Sequence, residues 1–393
     1  VTHPKTAAVI GGGIAGAAAA LAMHKAGIAP VIYEAYPQTA DSTGVFLTVQ
    51  TNGIDALRVL DADKPVLHGG IPTPEMTLRS GTGKWLGVMS TGSPLSDGTV
   101  GHTVARADVY QALQELVRAR GIPLEHGKRL VTATDTGDSV HAQFADGSTA
   151  TADILVGCDG VHSTVRKLID THALPTRYEG LLTTGGYASG ISVNEPVGHY
   201  EMIFGRRAFF GYLPALDGRV WWFANLPQQS EPTKEQLRVS TEQQRRQVLL
   251  DAFAADAGPA CRLIEASPTV APFSAVHTVA KLRRWHRGRM VIIGDAAHAP
   301  SPTSGQGASL SVEDAVLLAI YLRNLNLSAA YIEFEKTRRK RVEPIVAAAA
   351  RMNRSKAASP IGCAIRDAVM PTILRMAANN KTYKQIFDYH IDW

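Results

Sequence analysis

Short apolar runs, each stopped by glycine or by an acid, set the rhythm of this chain. The first, Ala7–Ile10, ends at Gly11-Gly12-Gly13-Ile14-Ala15-Gly16. An alanine-rich stretch from Ala17 to Ala22 then reads as a helix that stops at Gly27, and Val31-Ile32-Tyr33 delivers Glu34. Strand, glycine turn, helix, second strand and terminal acid form the dinucleotide-binding βαβ layout. Gly11 allows the tight turn, Gly13 lets backbone N–H groups approach a pyrophosphate, and Gly16 lets helix and strand pack closely. The helix N-terminus faces the phosphate charge, and Glu34 can accept both ribose hydroxyls.

Further along, Thr43–Val49 predicts a strand entered through a glycine, and Ile54–Leu60 a short helix. From Gly69 to Gly101 the composition turns to Gly, Pro, Ser and Thr with β-prone pieces such as Met76–Arg79, an excursion into a second domain. The chain returns at His102–Arg106 and enters a helix whose buried face carries Val109, Ala112, Leu113, Leu116 and Val117. Asp108 is its candidate cap and Gly121 its stop. Leu130–Thr134 predicts a strand, Asp146-Gly147 a hairpin turn, and Ile154–Gly157 a buried strand. Between Tyr178 and Val276 the texture is that of an antiparallel sheet. Met202–Phe204, Phe209–Leu213 and Val220–Asn225 are aromatic-rich strands, the last two joined around Asp217-Gly218. Glu235–Ala255 reads as one helix.

Two more apolar strands end in chemistry. Ile154–Gly157 runs into Cys158-Asp159-Gly160, and Met290–Ile293 into Gly294-Asp295-Ala296-Ala297-His298. Strand ends are where α/β sheets place ligand contacts. Asp295 can accept a hydrogen bond from a sugar-like hydroxyl. Beyond it, Gly305 and Gly307 open a helix N-terminus that a ligand can approach closely and that favours negative charge.

Composition narrows the class. The 393 residues are 45% hydrophobic and 19% charged, an ordinary globular balance with room for two or three domains. A net charge of +5 is spread along the chain except at Arg338-Arg339-Lys340-Arg341, read as a solvated helix face. Cys158, Cys261 and Cys363 form no disulfide framework, and no apolar run is long enough to span a membrane. Lys5 with Ala7–Met23 could pass for a signal peptide, but the glycine spacing and Glu34 argue against it. The expectation is a cytoplasmic protein, monomer or homodimer, with no nucleic-acid or membrane partner. No metal-ligand spacing stands out.

Together, the N-terminal glycine fingerprint, Asp159-Gly160, and Gly294–His298 followed by Pro302 and Gly305-Gln306-Gly307 resemble the group A flavoprotein monooxygenases, the p-hydroxybenzoate hydroxylase-like family. Arg106 with Val109 and Leu113 resembles the family's arginine-led helix. Trp285, Gly288 and Arg289 resemble its lead-in to the second Gly-Asp strand, and Glu335, Arg338 and Arg341 its basic late helix. The resemblance runs to about Val346. It implies an α/β fold: a Rossmann-like FAD-binding domain of glutathione-reductase type, an inserted antiparallel-sheet substrate domain and C-terminal helices. The corresponding boundaries are FAD domain 1–70, 101–176 and 277–346, substrate domain 71–100 and 177–276, and a helical tail 347–393, with helix-prone residues around Ile365–Met376. The chain resembles the compact members that lack a thioredoxin-like extension.

The resemblance also implies FAD in an extended pose, with NADPH or NADH as co-substrate. Gly11, Gly13, Ile14, Ala15 and Gly16 would hold its pyrophosphate, Glu34 the adenosine ribose, Leu130 the adenine and Asp295 the ribityl chain. Arg106 would lie along the cofactor, and Asp159 belongs to the motif used around both nucleotides. Pro302, Gly305, Gln306, Gly307 and Ala308 would border the isoalloxazine ring. Ser309 stands where many relatives have asparagine, and Phe334 where tyrosine is usual. The implied activity inserts one oxygen atom of O₂, through a C4a-hydroperoxyflavin, into a hydrophobic aromatic or polycyclic substrate by hydroxylation or epoxidation. A non-redox flavin protein or cyclase is the alternative. A halogenase would need a Trp-x-Trp-x-Ile-Pro element that Trp221-Trp222-Phe223 does not supply, and a plain NAD dehydrogenase would leave the second Gly-Asp motif without a purpose. Phe204, Phe210, Tyr212 and Trp222 are the candidate substrate contacts. Arg206 and Arg207 are candidates for holding an acidic substrate, His298 is a candidate for proton transfer, and no catalytic acid or base is assigned.

Overall fold

The structure, a computed structural model, describes residues 3–37, 45–356, 360–378 and 385–393. Thr6–Ile10 lies at the centre of a six-stranded sheet and pairs in parallel with Ile154–Gly157 on one side and Ala29–Tyr33 on the other. The order continues outward to Met290–Ile292 and the antiparallel edge His286–Arg287, and on the opposite side to Leu124–Glu125. The three strands that end in the Gly11–Gly16 turn, at Asp159-Gly160 and at Gly294-Asp295 are therefore neighbours with their C-terminal ends aligned, because parallel pairing puts all strand exits on one edge. The alanine helix Ile14–Lys25 packs against Gly307–Asn324, and the small side chains allow a close, wholly buried crossing.

A seven-stranded sheet stands beyond that edge. Its order is Ser274–Thr278, Arg177–Ala188, Val220–Pro227, Phe209–Pro214, Tyr200–Phe204, Glu75–Ser80 and Trp85–Ser90. The excursion after Gly69 thus joins the same sheet as the later β-rich stretch, through a parallel pairing of Glu75–Ser80 with Tyr200–Phe204. Helices Glu242–Phe253 and Ala260–Glu265 cover its outer face. Two small antiparallel sheets complete the strands. One is built from Leu130–Asp135, Val140–Phe144 and Thr149–Ala152, the other from Phe46–Val49, His102–Ala105 and Ile71–Pro72. No helix among the described residues is long and apolar enough to cross a membrane.

Several local expectations change. The single helix expected over Glu235–Ala255 is two, Lys234–Val239 and Glu242–Phe253, because Thr233/Gln236 and Thr241/Gln244 each form a complete capping box. The helix expected from Ile54 begins at Thr51. Asp108 does not cap Arg106–Ala119: the N-cap position is Ala105, and Asp108 sits within the first turn. Of the strand expected at Thr43–Val49, Phe46–Val49 is formed, and Thr43-Gly44 lies outside the described residues.

The basic cluster is not a solvated face. Arg338 is fully buried, and its guanidinium meets Asp314 at 2.5 Å and Glu313 at 2.7 Å. Arg341, one helical turn on, holds the other side of Glu313 at 2.6 Å. Arg339 turns a different way to pair with Glu335 and Glu343, and Lys340 alone of the four is exposed. Positions three apart share a helix face, so the run divides between partners.

Candidate active site

At the strand exits, the glycine turn is forced into shape by contact. Gly11 takes a φ of 103°, and a Cβ on Gly16 would sit 1.8 Å from the Gly11 carbonyl oxygen. Only glycine at both positions brings the Ile14–Lys25 helix onto the turn. Its N-cap, Gly13, makes no side-chain bond to the first N–H groups, and Gly13, Ile14 and Ala15 border a cavity. Glu34 reaches back to the turn, its carboxylate accepting from the N–H of Gly12 at 2.6 Å and of Tyr36 at 2.9 Å.

Arg106 opens the helix beneath. Its guanidinium donates to the Tyr110 hydroxyl at 3.2 Å, while its Nε is buried without an acceptor. Tyr110 and Gln114 follow at one and two turns on the same face and also line the opening. That Arg-Tyr-Gln stripe of spacing four was visible in the sequence and is what the apolar pattern of the helix left unexplained. Asp295 stands nearby with its side chain open to the cavity, although the surrounding protein still desolvates its carboxyl. That desolvation pushes the carboxyl up, against the pull of His298 and Arg106.

Asp159 has a structural task of its own. It accepts from the Ser163 hydroxyl and from the N–H groups of Thr164 and Val165, and so fixes the helix that follows. From that helix Arg166, absent from the sequence-based candidates, donates to the Ala296 carbonyl at 2.9 Å and joins the Asp159-Gly160 turn to the Gly294-Asp295 turn.

These groups line one continuous cavity of about 980 Å³. Gly11, Gly13, Ile14, Ala15, Glu34, Arg106, Leu130, Asp159, Asp295, Pro302, Gly305, Gly307 and Ala308 all border it. Gly16 and Gln306 do not. Gly16 is packed behind the turn, and the Gln306 carboxamide points inward to Asn52. Asn52 also donates to Glu313 at 2.6 Å, so the Pro302–Gly307 loop is tied to the buried Arg338 network. Ser309 accepts from the Gln50 N–H at 3.2 Å, and Gly53 packs against it so closely that a Cβ on Gly53 would lie 2.4 Å from the Ser309 hydroxyl oxygen.

The far end of the cavity is walled by the seven-stranded sheet. Phe204 borders it as expected, together with Phe209, Phe223, Met202 and Met76. Phe210, Tyr212 and Trp222 do not. They lie on the outer face against Leu249, Phe253 and Leu263, with the Trp222 indole N–H on the Ser267 hydroxyl at 2.7 Å. Strand side chains alternate, and Phe209 and Phe223 take the inward positions, one residue from those expected. Gly211, opposite Phe223, makes the space for that ring: a Cβ there would lie 2.3 Å from it. Arg206 and Arg207 sit outside the cavity, tied to Asp256 and to the Asp251 carbonyl. His298 is buried against Asp314 at 2.6 Å and does not reach the cavity, so proton transfer to a ligand there is not open to it. The C-terminal stretch contributes Phe387, whose carbonyl accepts from Thr51.

The acid side of this network is measurable. Burial raises the Asp314 carboxyl, but Arg338, His298 and the Gly294 N–H outweigh it and hold the group at about 2. A folded value below the unfolded one, near 4, gives stability that is complete above pH 4 and lost as pH falls toward 2. Denaturant titrations of the wild type and Asp314→Asn should therefore differ most at neutral pH. The gap should close by about 2–3 kcal/mol toward pH 2. A gap independent of pH would exclude an ionised Asp314.

The site fits an extended dinucleotide. It offers open N–H groups at a helix start, an acid at the second strand end, a buried arginine Nε lacking an acceptor, and a second open helix start at Gly307, whose N-cap makes no side-chain bond. No His, Cys, Asp or Glu cluster among the described residues could hold a metal ion. The family described as FAD binding domain matches residues 5–349. The aurachin C monooxygenase/isomerase of Stigmatella aurantiaca is 29% identical over 93% of both chains. The FAD-dependent urate hydroxylase of Klebsiella pneumoniae is 28% identical over 86% of this chain and 87% of its own. The crystal structure of Klebsiella pneumoniae HpxO complexed with FAD and uric acid superposes with a TM-score of 0.82 at 26% identity, covering 98% of this chain and 96% of that one. With the glycine turn, the Asp159-Gly160 and Gly294-Asp295 exits and the cavity they border in one chain, the protein belongs to the FAD-binding, p-hydroxybenzoate hydroxylase-like family and is a group A FAD-dependent monooxygenase.

Proposed function

We propose that this monooxygenase consumes NADH or NADPH and transfers one atom of O₂ to a hydrophobic aromatic substrate held against the inner face of the seven-stranded sheet. The observation that carries the reading is the continuity of the cavity from the glycine turn to the Phe204, Phe209 and Phe223 wall. Bound at the nearer end, FAD supplies the electron-transfer and oxygen chemistry. The chain's own residues set the conditions for it. Gly11–Gly16 and Arg106 receive phosphate charge, Glu34 and Asp295 accept sugar hydroxyls, and the N–H groups at Gly307 and Ala308 favour negative charge on a ring placed before them. The aromatic wall orients the substrate and keeps water away from it.

Turnover of purified, FAD-loaded protein under ¹⁸O₂ tests this. The expected result is NAD(P)H consumption stimulated by an aromatic compound, with one labelled atom in the product. No NAD(P)H consumption by the FAD-loaded protein with either nucleotide, and no labelled product, would favour a non-redox role for the bound flavin.

A further inference from the structure

We propose that the Tyr200 hydroxyl donates a hydrogen bond to the substrate, which is therefore an aromatic molecule carrying an uncharged carbonyl-type oxygen at the end that meets this residue. The inference rests on the monooxygenase reading above. The direction of the Tyr200 side chain, its missing partner and the charge around it lead there.

Strand side chains alternate, and on Tyr200–Phe204 the residues Tyr200, Met202 and Phe204 all border the cavity. The two between them face the other way. Glu201 meets Arg79 at 3.1 Å, and Ile203 lies in the cluster under the outer helices. Tyr200 is 4% exposed, and its ring sits 6.3 Å from that of Phe46, which also borders the cavity. Four residues of strand, about 13 Å, separate Tyr200 from Phe204. Tyr200 therefore marks one end of the apolar wall and Phe204 the other.

Other polar side chains of this sheet are committed within the protein. Tyr187, in the same aromatic cluster, donates to the Val45 carbonyl at 2.8 Å, and Thr184 to the Ala271 carbonyl at 2.6 Å. The Tyr200 hydroxyl makes no hydrogen bond to a described residue, yet its oxygen is not sealed into the packing. Because the side chain stands on the cavity face, the surface this oxygen keeps opens to the cavity. Burial pushes its ionisation well above the ordinary tyrosine range, so it keeps its proton and acts as a donor. A ligand that fills the chamber expels water from this O–H. It then supplies an acceptor or leaves a buried donor unpaired, and such a site discriminates against the analogue that lacks the acceptor. Every charged side chain bordering the cavity stands at the cofactor end or beside the Asp159-Gly160 turn. A carboxylate or phenolate at Tyr200 would lose its hydration and find one phenol and no cation, whereas a ketone or amide oxygen loses little.

The test is binding, read from perturbation of the visible spectrum of the FAD-bound protein without NAD(P)H, so that it is separate from turnover. The probes are 1-indanone and 2-acetylnaphthalene, paired with indane and 2-ethylnaphthalene, which match their shapes without the oxygen. Tyr200→Phe removes only the hydroxyl. It is expected to weaken both ketones roughly threefold to tenfold and to leave the hydrocarbons unchanged, with FAD affinity and the spectrum of the unliganded flavoprotein as in the wild type. The carbonyl stretch of bound 1-indanone should also lie at lower frequency on the wild type than on the variant. Equal weakening of ketones and hydrocarbons, which a packing role would give, overturns the proposal. So does a ketone affinity that the variant leaves unchanged, a wild-type spectrum that neither ketone perturbs, or a variant that loses FAD affinity while its ketone preference persists. Ketone binding in the expected pattern without stimulated NAD(P)H oxidation would leave this inference standing and count against the functional reading. Stimulated oxidation that Tyr200→Phe and the missing carbonyl both leave untouched would do the reverse.

Discussion

Replacing Arg338 with alanine is expected to lower the stability of the FAD-loaded protein by about 3–5 kcal/mol, the usual consequence of leaving buried carboxylates without their cation. Glu313 and Asp314 are both wholly buried, and Arg338 contacts each directly and donates to the Leu310 carbonyl as well. Arg338→Met keeps most of the apolar stem, so a loss of similar size with methionine assigns the effect to the charge and not to a cavity. Denaturant unfolding with two probes reads it. An unchanged midpoint in either variant would mean that water or Arg341 compensates, and that the network is not the tie between the Gly294 turn and the Gly307 helix.

Gly16→Ala is expected to reduce FAD affinity by at least about 100-fold, close to 3 kcal/mol, because the new methyl collides with the Gly11 carbonyl and that backbone atom moves only by opening the turn. Gly13→Ala is the informative partner. Its Cβ would meet nothing nearer than the Tyr110 hydroxyl at 3.6 Å, and its φ of −72° suits any residue. That variant should fold as well as the wild type and still bind FAD poorly, because the methyl would occupy the ligand's space. Titration of apoprotein with FAD, alongside a melt without it, separates the two. Wild-type affinity in Gly13→Ala would place the cofactor elsewhere.

Much of the cofactor end was legible because its chemistry depends on short-range order. The Gly11–Gly16 spacing, Glu34, and the strand ends at Asp159-Gly160 and Gly294-Asp295 are each read within a dozen residues, and parallel pairing then brings them to one edge. The substrate end was not legible in the same way. Aromatic runs such as Phe209-Phe210 and Trp221-Trp222-Phe223 offer a ring to both faces of the strand, and only the helices laid on the outer face decide which face is inward. The Arg338 cluster failed for a related reason: its partners Glu313 and Asp314 lie on a different helix, and a run of cations does not announce a distant pair of anions. Asn52, Tyr110 and Phe387 act through contacts across the chain, and of these only Tyr110 had a local signal, the spacing from Arg106 to Gln114.

Anaerobic reduction of the flavin-loaded protein by NADH and NADPH, read as loss of flavin absorbance with and without aromatic compounds, tests the monooxygenase reading most directly. Reduction by at least one nucleotide is expected, accelerated when an aromatic compound is present. A flavin that neither nucleotide reduces, with or without those compounds, would contradict that reading.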